Sequence, residues 1–144
     1  WVYKEHIEIN FLGYIVSSIS KTFNAMTSLT NKTDSPLYGL NRFFQALEIL
    51  RTKDLEMPAQ LISTFLYIAA NDGCKQEEVT KNLNLTSSST SRNIARLTKR
   101  TSRDKKGLGW VYKEVNPIDP KRYLLHLSRD GKHIATLLEN TLKE

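Results

Sequence analysis

Apolar side chains recur at four-residue steps early in the chain, at Ile7, Phe11, Ile15, Ile19 and Phe23, with Leu12, Val16 and Met26 alongside. That period marks one face of an α-helix, so a long amphipathic helix is predicted over residues 5 to 26 despite Gly13. A polar break follows over residues 27 to 36, where Asn31-Lys-Thr-Asp-Ser-Pro36 reads as loop. A second amphipathic pattern, through Leu40, Phe43, Phe44, Leu47 and Leu50, predicts a helix from about residue 37 to 51. The apolar faces of these two helices need a partner, and packing within one chain and a dimer interface are both open.

The third helical pattern starts at Met57-Pro58, where proline suits a first turn because its missing N–H has no partner there anyway. It carries Leu61, Phe65 and Ile68 inward and stops at Asn71-Asp72-Gly73. Gln76-Glu-Glu-Val-Thr-Lys-Asn-Leu83 then reads as a short helix with acids in its first turn. Asn84-Leu85 makes the turn, and the Thr86 hydroxyl can cap the next helix. Short helix, tight turn and capped helix is the order of a helix-turn-helix.

The faces of that last helix, about residues 86 to 100, follow from about 100° per residue. With Thr90 at 0°, Ile94 falls at about 40° and Leu97 at about 340°, a mostly apolar wedge for the core. Ser88 at about 160°, Arg92 at about 200°, Lys99 at about 180° and Ala95 at about 140° lie opposite, with Arg96 flanking at about 240°. Small hydroxyls thus lead and cations follow. Ser adapts to several base edges, Arg pairs bidentately with guanine, and late cations meet phosphate. A solvated face of a structural helix would explain the cations. It would not explain the run Thr86-Ser-Ser-Ser-Thr-Ser91, which has poor helix propensity and suits a cap or a groove. Ser87, Ser88, Ser89 and Ser91 are therefore candidate DNA contacts beside Arg92, Arg96 and Lys99.

Trp110-Val-Tyr-Lys-Glu-Val115 alternates as a strand and Tyr123-Leu-Leu-His-Leu127 returns as another. Between them Asn116-Pro-Ile-Asp-Pro-Lys-Arg122 has the prolines and acid of a turn and two cations, Lys121 and Arg122, near the tip. Such a hairpin reads as a wing that reaches a minor groove or the backbone, although an ordinary surface hairpin has the same outline. A last helix is predicted at about residues 128 to 142. The fold expected is mainly α with a small β-hairpin wing, a winged helix-turn-helix with an N-terminal helical extension. Residues 1 to 54 form the helical, dimerisation or packing region and residues 55 to 144 the winged helix.

Charge sharpens this picture. The chain carries +6 overall, yet residues 86 to 132 hold twelve Lys or Arg against Asp104, Glu114, Asp119 and Asp130, a net +8 that leaves −2 for the rest. A merely soluble basic surface does not concentrate charge this way, whereas a face that displaces counterions from phosphate does. Arg103, Lys105 and Lys106, in a basic segment that reads as a flexible loop at residues 101 to 108, are expected to add phosphate contacts. The single cysteine, Cys74, excludes an internal disulfide framework and fits a reducing cytoplasm; it reads as a small residue in a turn rather than a redox sensor. No apolar run reaches transmembrane length and no leading signal-peptide pattern is visible, so no membrane partner is expected.

Gly109-Trp-Val-Tyr-Lys and Asn116-Pro-Ile-Asp-Pro-Lys-Arg-Tyr-Leu-Leu-His-Leu-Ser-Arg-Asp-Gly131 resemble the strand, wing and wing-to-helix pattern of MarR-type transcription regulators. Residues 85 to 97 are similar to that family's recognition helix, and Met57-Pro-Ala-Gln60 to the start of the helix preceding its helix-turn-helix. The likeness covers roughly residues 55 to 135. It implies a homodimer whose recognition helices enter successive major grooves of a pseudo-palindrome, with repression or activation as the outcome. The sequence departs from the family in three places. Lys121 stands where the family has its wing arginine, with Arg122 beside it; residues 101 to 108 intervene between recognition helix and strand; and only one helix follows the wing.

Catalysis has little support. His126-Leu-Ser-Arg129 matches the H-x-x-R of tyrosine recombinases, but no tyrosine follows as nucleophile. Three scattered histidines, His6, His126 and His133, and one cysteine make no metal set, and no glycine loop cradles a phosphate. No cofactor is expected, and nothing identifies a small-molecule effector. The reading is a sequence-specific double-stranded DNA-binding regulator. The alternative is a winged-helix protein-interaction or nucleoprotein-assembly module with non-specific DNA binding. The pentamer Trp-Val-Tyr-Lys-Glu occurs twice, at Trp1 and at Trp110, without a physical reason.

Overall fold

The computed structural model describes residues 37–102 and 105–143. The helix expected over residues 5 to 26, the first copy of the pentamer and Arg103 lie outside the described residues. Contacts divide the chain into two compact units after Arg42. Of the first, the described part is the beginning of helix α1 (Tyr38–Arg51), where the Arg42 guanidinium folds back on Tyr38, Nη2 donating to the phenol oxygen at 2.7 Å.

The second unit starts at Phe43, within α1. The reason is burial: Ala46 and Leu50 on the later turns of α1 belong to the core. Helix α2 (Ala59–Ala70) follows, with Pro58 at its N-cap and Leu61, Phe65 and Ile68 fully buried as the periodicity requires. Its end at Asn71 leads through Gly73, whose φ of +83° suits a residue without Cβ, into a two-residue strand β1 (Cys74–Lys75). Helix α3 (Gln76–Asn82) has Glu78 accepting from the Lys75 N–H at 3.0 Å. Asn84, at φ 50°, makes the left-handed turn that asparagine tolerates. Helix α4 (Ser87–Leu97) comes next, capped by Thr86, whose hydroxyl oxygen accepts from the Ser89 N–H at 3.1 Å.

The residues between α4 and the wing form a ladder, not a loop: β2 (Arg100–Ser102) pairs antiparallel with β3 (Lys105–Lys106). Hydrophobic alternation, the usual signal for a strand, is missing from this basic segment, and the pairing is carried by the backbone. Strands β4 (Val111–Val115) and β5 (Tyr123–Leu127) form the hairpin in the register Val111 with Leu127 through Val115 with Tyr123. Strand β1 adds to the other side of β5, giving a three-stranded antiparallel sheet in the order β1-β5-β4. Helix α5 (Arg129–Lys143) closes the described chain.

One core joins these elements: Phe65 of α2, Val79 of α3, Ile94 and Leu97 of α4, Trp110, Leu125 and Leu127 of the hairpin, and Ile134 and Leu138 of α5. The Phe65 and Trp110 rings meet with centroids 4.9 Å apart at 56°, a tilted aromatic pair. Trp110, the first residue of the second pentamer copy, is thus a packing residue. Cys74 is also in the core, on a strand rather than in the turn expected. Burial, with the Glu78 charge nearby, pushes its thiol up to about 11, so it stays protonated at neutral pH and is a poor redox sensor.

Asp72 ties the end of α2 to β5. Its carboxylate accepts from the Leu127 N–H at 3.1 Å and lies 3.2 Å from Nδ1 of His126. Partial burial pushes the carboxyl up, but the His126 and Leu127 hydrogen bonds and the charges of His126 and Lys132 outweigh it and hold Asp72 below the ordinary carboxylate value. A depressed folded-state value adds stability above the unfolded-state value, near pH 4, that is lost as pH falls through the folded one. Asp72→Asn is therefore expected to unfold at lower urea than the native chain at pH 7, with the difference closing below about pH 4. Urea midpoints measured from pH 7 to pH 3 check this, and a difference that widens towards acid contradicts it.

Candidate nucleic-acid interface

Helix α4 is oriented by what it buries. Thr90, Ile94 and Leu97 are 0% exposed, which fixes the wedge derived from the helical period. The buried hydroxyl is satisfied: Thr90 donates to the Thr86 carbonyl and accepts from Thr80 of α3 at 3.0 Å. Asn93 donates to Thr64 of α2 at 3.2 Å. These bonds hold α4 against two helices and leave its opposite face outward, with Ser87, Ser88, Ser91, Arg92 and Lys99 exposed.

Within that face the side chains differ in freedom. Ser89 is half-buried and serves the cap, its hydroxyl accepting from Thr86 at 2.9 Å. The Ser88 hydroxyl lies 3.2 Å from that of Thr86, on the exposed side of the turn. Arg92 uses only Nε locally, towards the Ser88 carbonyl at 3.3 Å, so its planar fork faces outward from the middle of the helix. Arg96, expected at the flank of this face, is held in an ion pair by Asp54, on the segment between α1 and α2. The pair ties α4 to that segment.

Lys99 lies beyond the helix rather than on its last turn. Helix α4 stops at Leu97 because the returning chain takes its carbonyls: Leu108, Trp110 and Gly109 donate to Arg96, Leu97 and Thr98 at 2.9, 2.8 and 3.3 Å. The Lys99 stem lies against Gly109, whose φ is +72°. Lys99 then borders an open concavity of about 670 Å³ lined also by Ala95, Val111, Lys113 and Arg129. Three cations, from the segment after α4, from β4 and from α5, thus border one hollow. Neither Lys113 nor Arg129 is a DNA contact by sequence pattern; the hairpin register and the start of α5 bring them to this hollow.

The wing separates its two cations. Lys121 is exposed at the tip, while the Arg122 guanidinium is drawn to Asp119 at 3.1 Å and to Glu77 of α3 at 3.3 Å. Lys106 is exposed on β3, next to Lys105 on the same strand. Among the described residues, no group of three His, Cys, Asp or Glu side chains could hold a metal ion, and no helix is long and apolar enough to cross a membrane.

No protein-family model matches the sequence, and no curated protein does. Solved structures do. Wild-type MarR from E. coli in its apo form is 19% identical, with 72% of each chain covered and a TM-score of 0.52. A mutant MepR of S. aureus bound to an oligodeoxyribonucleotide is 18% identical, covering 84% of this chain and 73% of its own, with a TM-score of 0.55. A MarR transcriptional regulator of Methanosarcina mazei Go1 is 17% identical, covering 90% of this chain and 74% of its own, with a TM-score of 0.52. The helix order, the three-stranded sheet and these likenesses together give the chain the winged-helix fold of the MarR-type regulators.

Proposed function

We propose that this chain is a sequence-specific, double-stranded DNA-binding transcription regulator without catalytic chemistry, acting as a homodimer. Helix α4 enters the major groove, and the β4–β5 hairpin reaches the backbone or the adjacent minor groove. The observation that carries this reading is the division of α4: its wedge Thr90, Ile94 and Leu97 is wholly buried, while Ser88 and Arg92 face outward. A helix so held presents a rigid, polar reading surface. In this reading Ser87, Ser88, Ser91 and Arg92 meet base edges. Lys99, Lys106 and Lys121, with Lys113 and Arg129, meet phosphate, and Arg103 and Lys105 join them from the β2–β3 segment. Ser89, Arg96 and Arg122 act mainly through the cap, Asp54 and Glu77. Two features support a dimer: the likeness to MarR-type structures, and the exposed Phe43, Phe44, Leu137 and Leu142 on α1 and α5.

A phosphate contact carries no sequence information. Lys99→Ala is therefore expected to weaken binding to a preferred and to a random duplex by the same factor and to lower the slope of log K against log salt by about 1. Anisotropy titrations between about 50 and 200 mM salt measure both quantities. Binding by the native chain that scarcely changes over that range would rule out the phosphate contacts.

A further inference from the structure

The tip of the wing carries an isoleucine that nothing covers. Ile118 is 92% exposed, the most exposed large apolar side chain among the described residues. An isolated exposed isoleucine is ordinary on a protein surface, and what distinguishes this one is how firmly it is held out. The Asn116 side chain, itself 5% exposed, accepts from the Ile118 N–H at 2.9 Å. The Asn116 N–H donates to the Arg122 carbonyl at 3.0 Å, and the Arg122 N–H to the Asp119 carbonyl at 2.9 Å. The Asp119 carboxylate accepts from the Lys121 N–H at 3.3 Å, and Pro117 and Pro120 fix φ on either side. The turn is therefore a preorganised finger that bears one apolar side chain and one exposed cation, Lys121, three residues apart.

We propose that Ile118 is an apolar wedge that the wing presses into the DNA minor groove while Lys121 engages the flanking phosphate. This rests on the reading of α4 and the hairpin as a DNA-binding surface. Size and charge favour DNA over a protein partner. A minor groove about 6 Å wide admits a single side chain against its sugar walls, and isoleucine is among the residues that wedge there. A stable protein interface needs about 800 Å² per partner, more than Ile118 with the exposed Val115 and Tyr123 behind it can offer. The exposed Lys121 beside Ile118 is matched to a polyanion.

The test compares the whole native chain with Ile118→Ala, Ile118→Leu and Lys121→Ala on a duplex recovered from a random pool, titrated by anisotropy at several salt concentrations. Urea unfolding of each variant confirms that the fold is kept. Ile118→Ala is expected to weaken binding about five- to tenfold with the salt slope unchanged, because the lost contact is apolar, and Ile118→Leu to restore most of it. Lys121→Ala is expected to lower the slope by about 1. Native-level binding by Ile118→Ala overturns the wedge, as does a loss accompanied by the same slope change as Lys121→Ala. Unchanged DNA binding with loss of self-association in sedimentation also overturns it and assigns Ile118 to contact with a second copy. Failure of the native chain to bind any duplex overturns the DNA reading itself, whereas native binding with an indifferent Ile118 overturns only the wedge.

Discussion

Gly131→Ala is expected to destabilise the fold by about 3 kcal/mol or more, at or above the top of the usual range for overpacking. Gly131 is buried in the first turn of α5, and a Cβ there would lie 2.0 Å from the Trp110 carbonyl oxygen and 2.9 Å from its carbon. Neither can move cheaply. That same oxygen accepts from the Ser128 N–H at 2.8 Å, while the Ser128 hydroxyl donates to the Gly109 carbonyl at 2.6 Å and accepts from the Gly131 N–H at 3.1 Å. Relief requires α5 to lift from the base of β4, loosening Ile134 and Leu138 against the core. A domain of this size loses roughly 4 to 8 °C in Tm per kcal/mol, so a fall of more than about 10 °C is expected by calorimetry. Gly39→Ala is the control. An added Cβ there meets nothing within 4 Å among the described residues, and alanine is the better helix former. Equal melting of the two variants would show that α5 does not rest on Trp110.

Arg92→Ala is expected to leave stability within about 0.5 kcal/mol, because the side chain is exposed and makes one local hydrogen bond. Its effect falls on recognition. Loss of a bidentate base contact costs about 1 to 3 kcal/mol on the preferred duplex and flattens the preference at one base position. Random duplex, bound through phosphates, is expected to change far less. The comparison with Lys99→Ala separates the two roles: one variant loses discrimination, the other loses affinity for every sequence alike. Equal losses by Arg92→Ala on specific and random DNA would remove base readout from this residue.

Much of this was legible in the sequence because periodicity reports burial directly. Helical angles alone put Thr90, Ile94 and Leu97 on one wedge, and all three are fully buried. The hairpin strands, the Thr86 cap and the stop of α2 were equally local signals. What local pattern does not show is set by distant groups or by the backbone. Arg96 sits on the flank of the reading face by helical angle, but Asp54, 42 residues earlier, claims it. Arg122 is drawn to Glu77 on α3, a contact that only the assembled sheet and helices create. The helical period alone extends the helix to Lys99, because nothing in its own neighbourhood shows that residues 108 to 110 come back to take the α4 carbonyls. Strand β1 is two residues long and β2–β3 lacks apolar alternation, so neither leaves a pattern to read.

The candidate site divides in the same way. Exposure at Ser88, Arg92 and Lys121 follows from local period and turn chemistry. The hollow shared by Lys99, Lys113 and Arg129 needs three elements brought together. A basic stretch carrying +8 in the sequence thus resolves into exposed cations and cations with an acidic partner nearby. Arg96 and Arg122 have ion-pair partners within the fold, while Arg92, Lys99 and Lys121 are exposed. Charge counting alone treats them as equivalent.

Selection of bound duplexes from a random pool by the full native chain tests the central claim most directly. Recovery of a two-fold symmetric sequence, with half-sites about one helical turn apart and a position whose preference disappears when the selection is repeated with Arg92→Ala, is the result expected of paired recognition helices. Recovery of unenriched sequence, bound with the same affinity as the starting pool, would contradict base recognition by α4 and leave a fold that holds DNA only by its charge.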